Sequence, residues 1–169
     1  MYTNVMDKNV KKRGFTIIEV VLVLAIAGLI FLMVFIALPA LQRNQRDTQR
    51  ENDLGRMMAA LTRFRANNRN RLPGEGQPGG VTAVNHWNTF RDRYLMVNND
   101  TFEDPQSGVV YNFTVVNGAA GDPGDAGSGN LRVHIGARCN GEAAEAVAGN
   151  RNVAVRMRLE GGGIICQSN

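Results

Sequence analysis

One stretch constrains this chain more than any other: from Val20 to Leu38 it contains no charged residue. Those nineteen consecutive apolar or small residues are enough for a helix to cross the roughly 30 Å hydrocarbon core of a bilayer. The remainder is polar and Gly-rich and holds no second block of this kind, so the sequence predicts a single pass. With 169 residues in all, one modest domain is left outside the apolar run.

Charge sharpens the reading through its placement. Lys8, Lys11, Lys12 and Arg13 against Asp7 give +3 in the first 14 residues, out of a formal net charge of +4. All three lysines lie before residue 14, so a chain cut there would have none. Residues 1–14 read as a basic leader. It is not an ordinary secretory signal, because the only A-x-A near the N-terminus, Ala25-Ile26-Ala27, sits in mid-span with apolar residues still to follow. Glu19 is also out of place, since a carboxylate just inside an apolar run is costly unless it finds a partner. Flanking charge does not decide orientation: Arg43, Arg46, Arg50 and Arg56 face the leader's four cations across the span.

Beyond the span, residues 42–72 keep an apolar stripe of Leu54, Met57, Met58, Leu61 and Phe64 at helical spacing. Only Pro39 and Gly55 interrupt the pattern, and either can kink a helix without ending it. The simplest reading is one helix from about Phe15 to about Asn68, roughly 80 Å long at 1.5 Å per residue. Its first half, residues 15–41, would lie in lipid, and residues 42–72 would back a head that starts after Leu72-Pro73-Gly74.

In the head, residues 73–169, Val84–Met96 has Trp87, Phe90 and Tyr94 at helical spacing. Three alternating runs follow: Val109, Tyr111, Phe113 and Val115; Leu131, Val133, Ile135 and Ala137; and Val153, Val155, Met157 and Leu159. Ile164–Cys166 reads as a short return strand. These predict an α+β fold, a small antiparallel sheet packed on the long helix. Residues 117–130 are rich in glycine and read as a loop. Cys139 and Cys166, 27 positions apart, would pair on the oxidising side of a membrane; two buried thiols are the alternative.

The string Lys12-Arg13-Gly14-Phe15-Thr16-Ile17-Ile18-Glu19, followed by the apolar run, resembles the prepilin signal of type IV pilins and of the related pseudopilins of type II secretion. The resemblance implies cleavage between Gly14 and Phe15 by a membrane aspartic peptidase on the cytoplasmic side, and N-methylation of Phe15. It implies that Glu19 pairs with the Phe15 amine of a neighbouring subunit and so sets the register of assembly. Gly28 stands where the family commonly has glycine, and Pro39 lies later than the family's usual proline; both are candidate kinks. The implied partners are other copies of the chain, minor pilins, the prepilin peptidase/N-methyltransferase, the inner-membrane assembly machinery and the membrane. DNA and a host-surface receptor are further candidate partners by the same resemblance. The implied location is a single-pass membrane protein with cytoplasmic N-terminus and extracytoplasmic head, then a surface pilus serving adhesion, twitching motility or DNA uptake. The alternatives are a secretion pseudopilin and, from another class, an anchored binding domain that never polymerises.

Other chemistry is sparse. Residues 40–72 hold eight Arg against three acids, which makes Arg43, Arg46 and Arg50 candidate anion contacts. The plainer reading is a polar helix face with local pairs, Arg43 with Asp47 and Asp53 with Arg56. Asp122 and Asp125 are too irregularly spaced to predict a calcium loop. His134 shares a strand face with Arg132 and Arg138, which predicts solvent exposure. Ser107, Ser128 and Ser168 lack catalytic neighbours, so no enzyme, metal or cofactor is predicted. Leu72-Pro73-Gly74-Glu75-Gly76 only faintly resembles a sortase signal, with no apolar tail behind it.

Overall fold

The computed structural model describes residues 14–121, 129–149 and 151–169. The leader, the loop acids Asp122 and Asp125, and Asn150 therefore lie outside the described residues. The chain divides into two units, Met1–Ala40 and Leu41–Asn169.

Helix α1 runs from Ile17 to Asn67, through both Gly28 and Pro39. In the first unit its apolar side chains are exposed on every side. An all-round apolar helix is a membrane or core element rather than a solvated one. Its length and composition suffice to cross a membrane.

In the second unit α1 changes character. Leu54, Met57, Ala60 and Leu61 are fully buried, and Met58 and Phe64 pack beside them. These six lie at spacings of three and four, the stripe expected of a helix with one buried face. Helix α2, Val84–Tyr94, buries Trp87 and Phe90. The Trp87 indole N–H donates to the Val81 carbonyl at 2.7 Å, so its burial leaves no donor unpaired. Phe64 meets Phe90 and Tyr94 edge-on, with ring centroids 5.6 and 5.3 Å apart, which ties the two helices.

The strands are β1 Asn112–Asn117, β2 Asn130–Ile135, β3 Ala137–Asn140, β4 Ala143–Ala146, β5 Val153–Arg158 and β6 Ile164–Ser168. Four of them form a sheet in the order β1-β2-β5-β6, and β3-β4 form a separate hairpin. Leu131, Val133 and Ile135 on β2 and Val153, Val155 and Met157 on β5 alternate into the same core as the helices.

The structure corrects the sequence reading of the strands in three places. Strands β1 and β2 are parallel, with Phe113 opposite Leu131 and Val115 opposite Val133. Parallel neighbours need a crossover of a dozen residues or so, and residues 118–129 are long enough to supply it. Val109 is exposed, because the strand begins at Asn112 and only Tyr111, Phe113 and Val115 turn inward. The β3-β4 hairpin was not expected. Gly136, at positive φ, breaks the Leu131–Ala137 run into two strands that belong to different sheets.

Candidate functional site

The first candidate is the start of α1. Thr16 immediately precedes the helix, and Glu19 stands at its third position. Glu19 Oε2 accepts from the Thr16 backbone N–H and from the Thr16 hydroxyl, both at 2.9 Å, while the Glu19 N–H donates to Thr16 Oγ1 at 3.4 Å. This reciprocal pair is a capping box: two helix-end donors, which have no intrahelical partner, are satisfied. Glu19 is therefore not an orphan within the subunit. The signal was available in the Thr-x-x-Glu spacing before an apolar run.

Around this cap the surface is apolar. Phe15 is 89% exposed and Ile17 85%. A Cβ placed on Gly14 or on Gly28 would meet nothing within 4 Å, and neither glycine has a positive φ. Within the subunit, neither position needs a glycine.

The second candidate is the arginine cluster of α1. The Arg46 guanidinium donates twice to Glu160, at 2.7 and 2.6 Å, the bidentate geometry that suits arginine. Arg50, whose side chain is 1% exposed, donates to Asp104 at 2.7 Å and to Asp47 at 2.9 Å. Asp47 also accepts the backbone N–H groups of Glu160 and Gly161, each at 2.8 Å. Burial works against the Asp47 carboxylate, but those N–H groups and Arg50 outweigh it and hold its pKa below the ordinary value. The Arg46 hydrogen bonds likewise lower the pKa of Glu160.

Arg46 and Arg50 are thus engaged inside the head unit and are not available to an external anion. Arg43 remains 59% exposed, 3.8 Å from Glu160. The expected Arg43–Asp47 pair is replaced by Arg50–Asp47, because Asp47 faces the turn after β5. The Asp53–Arg56 pair is present at 3.0 Å, and Arg56 also reaches Asp100. Buried Asp53 accepts from the Tyr111 hydroxyl at 3.3 Å, which burial requires of both groups. Asp104 and Glu160, which complete these clamps, lie far along the chain from their partners, and local spacing gave no sign of them.

Cys139 on β3 and Cys166 on β6 are joined by a disulfide, with Cα atoms 5.7 Å apart. The bond links the hairpin to the four-stranded sheet. Cys139 is half-buried.

Residues 9–35 match the family model of the prokaryotic N-terminal methylation motif.

This chain carries a prokaryotic N-terminal methylation motif.

The motif spans the capping box and most of the exposed apolar helix, and it is typical of type IV pilins and pseudopilins. The layout behind it, a long apolar N-terminal helix and an antiparallel-rich β-sheet head, is pilin-like. The motif implies processing by prepilin peptidase. Together with the apolar helix it fits a membrane-anchored protein. Comparison with curated proteins and with solved structures finds no match.

His134 departs from expectation. It is fully buried, with Nδ1 2.9 Å from the Gly118 carbonyl oxygen. The sheet face that carries it is covered by the backbone after β1 and by the β3-β4 hairpin, two elements that the strand pattern alone did not place there.

Proposed function

We propose that this chain is the precursor of a type IV pilus subunit, cut between Gly14 and Phe15, methylated at Phe15 and assembled through the first half of α1 into an extracytoplasmic filament. The observation that carries this reading is the methylation motif lying on a helix whose apolar surface is exposed on all sides. Lipid satisfies that surface before assembly, and the helices of other copies satisfy it afterwards. Filament formation then exchanges one apolar environment for another, so direction must come from polar contacts.

Glu19 supplies that contact. Its carboxylate sits one turn from Phe15 and already binds the Thr16 N–H. In a filament only one stagger brings it beside the amine of a neighbouring Phe15, which makes it a register device. Gly28 leaves a smooth patch for close helix approach, and Pro39 marks where the helix can bend. The filament serves surface attachment, twitching or DNA uptake.

Gly14→Val provides the test. The fold gives that position open space, so the substitution leaves folding untouched and acts on the peptidase alone. The expected result is uncut precursor in the membrane fraction and no subunit in sheared surface filaments. Normal filament yield from Gly14→Val would overturn the proposal.

A further inference from the structure

The chain that leaves α1 turns back sharply and forms a groove across the end of the helix. Arg69 and Asn70 take the left-handed conformation, at φ +54° and +61°, and Leu72, Pro73 and Gly74 are buried. Gly74 has φ +82°, and a Cβ there would collide with the Gly80 carbonyl, so the return is tight. The groove holds two adjoining cavities of about 300 and 280 Å³, which share Phe64, Asn68, Gly74 and Gln77. Ligand pockets run from roughly 300 to 1,000 Å³, so each cavity suits a small ring and the pair suits a short chain of rings. Both lie wholly within the unit Leu41–Asn169.

The lining combines three kinds of group. Phe64 is half-buried and common to both cavities, so its ring offers an apolar surface to whatever enters. Asn67, Asn68 and Gln77 bring amides, which both donate and accept, the property that suits a hydroxyl. Asn68 Nδ2 donates to the Phe64 carbonyl at 2.8 Å, which leaves its Oδ1 as the acceptor. Arg69 and Arg71 line the first cavity and Arg93 the second, and all three are exposed.

Neighbouring arginines have other work. Arg65 Nε donates to Asn70 Oδ1 at 2.9 Å and so fixes the turn, and Arg91 pairs with Asp92 at 2.9 Å. The groove's own charge is therefore three guanidinium groups against one carboxylate, Glu75, whose Oε2 accepts the Leu72 N–H at 2.9 Å. The undescribed residues 122–128 rejoin the chain at Gly129, beside Asp104, the partner of Arg50. Arg50 precedes Asn67 by about 25 Å of helix.

We propose that this groove binds an acidic polysaccharide in which charged and neutral sugars alternate. An arginine fork grips a uronate carboxylate through paired N–H···O bonds. The amides and Glu75 exchange hydrogen bonds with the hydroxyls of the neutral sugar, and the apolar face of a ring packs on Phe64. Glu75 is what favours alternation, because a polymer charged at every unit would set a like charge beside it. A single nucleic-acid strand fits less well. It carries a charge at every nucleotide and stacks successive bases on exposed aromatic faces. Here Phe90 is buried, and Phe64 stands edge-on to Phe90 and Tyr94 at interplanar angles of 86° and 70°.

The test adds the full chain, in nonionic detergent at physiological salt, to a fluorescent hyaluronate oligosaccharide and follows anisotropy. Unlabelled hyaluronate, free glucuronate, a neutral dextran oligosaccharide and a single-stranded oligonucleotide of matched charge serve as competitors. Hyaluronate should bind saturably with a micromolar to millimolar Kd, and glucuronate, dextran and the oligonucleotide should each compete about tenfold more weakly. Arg69→Gln/Arg71→Gln should weaken hyaluronate about tenfold, and Gln77→Ala should weaken it severalfold. These residues are exposed, so the melting temperature should stay where it is. No saturable anisotropy change, or full binding by the double arginine variant, would overturn the proposal. Competition by the oligonucleotide at lower concentration than hyaluronate would overturn it in favour of nucleic acid. Glucuronate equal to the oligosaccharide would overturn the reading of a groove for a chain. An unchanged Kd in Gln77→Ala would also overturn it, since charge alone would then suffice.

Discussion

Glu19 carries two roles that substitution can separate. Within the subunit it closes the capping box with Thr16, and in the proposed filament it answers a neighbour's amine. Glu19→Gln keeps a side chain that can complete the box but removes the charge. Thr16→Val removes the hydroxyl and keeps the charge, at a cost of about 1 kcal/mol at the helix end. Both should insert normally. Filament yield should collapse for Glu19→Gln and survive in Thr16→Val; equal losses would assign the defect to the helix cap instead. Asp104 is the second informative residue. It is fully buried and accepts from Arg50, from the Ser107 N–H and from the Ser107 hydroxyl. Asp104→Ala should cost about 3–5 kcal/mol, because Arg50 stays buried without its main counter-charge. Replacing both with apolar residues should cost much less. Denaturant unfolding in detergent measures this, and a loss under about 1 kcal/mol would mean that Asp47 and Glu160 suffice for Arg50. His134 gives a pH signature. Its folded pKa lies below the ordinary 6.5, so its neutral form stabilises the head fully above that value. As pH falls below about 6.5 the unfolded chain takes the proton first and stability declines. Asp47 and Glu160, with pKa values lowered from 3.8 and 4.5, lose their contributions only at more acid pH. A melting temperature that drops between pH 7 and pH 5.5, with the drop absent in His134→Asn, is the expected result.

At the scale of elements, the helices were the most legible part. The Leu54–Phe64 stripe and the Trp87, Phe90, Tyr94 spacing each encode a buried face through local periodicity alone, and α1 and α2 stand where those patterns placed them. The hairpin was illegible because Ala143-Ala144-Glu145-Ala146 has no β-branched or aromatic residue. Its one local sign was the Asn140-Gly141 turn, with Gly141 at positive φ. The parallel pairing of β1 and β2 was hidden for another reason: a Gly-rich segment announces a loop but not which way the chain leaves it. Covering by these two elements is also what buries His134, so one missed hairpin carried a second error with it. The disulfide acts at this scale as well, since it joins β3 to β6 across 27 positions. The chain-entropy model gives about 3.6 kcal/mol for a loop of this length. Non-reducing peptide mapping should recover the Cys139–Cys166 crosslink, and the Cys139→Ser/Cys166→Ser variant should unfold at markedly lower denaturant. Two alkylatable thiols in the native protein would contradict it.

For the whole molecule, the two units answer to different solvents. Residues 15–38 carry apolar side chains that only lipid or other apolar helices satisfy, whereas the unit Leu41–Asn169 buries its own core and pairs Arg46, Arg50 and Arg56 internally. This division explains why the candidate site was legible at its N-terminal end and illegible elsewhere. Gly14, Phe15, Thr16 and Glu19 are neighbours in sequence, so their chemistry can be read directly. The clamps from Arg46 to Glu160 and from Arg50 to Asp104 depend on tertiary folding, which no spacing rule reports. The internal pairing also shifts the electrostatic reading: the arginines nearest the span hold the head on its helix and leave Arg43 as the exposed cation among the three. The central claim is that the chain is cut, methylated and built into a filament. Intact-mass and N-terminal fragment spectrometry of the subunit from sheared surface filaments tests it most directly. The account predicts a chain that begins at Phe15, carries one added methyl group on the α-amine and contains no lysine. A subunit that still begins at Met1, or one found in the membrane and never in sheared filaments, would contradict it.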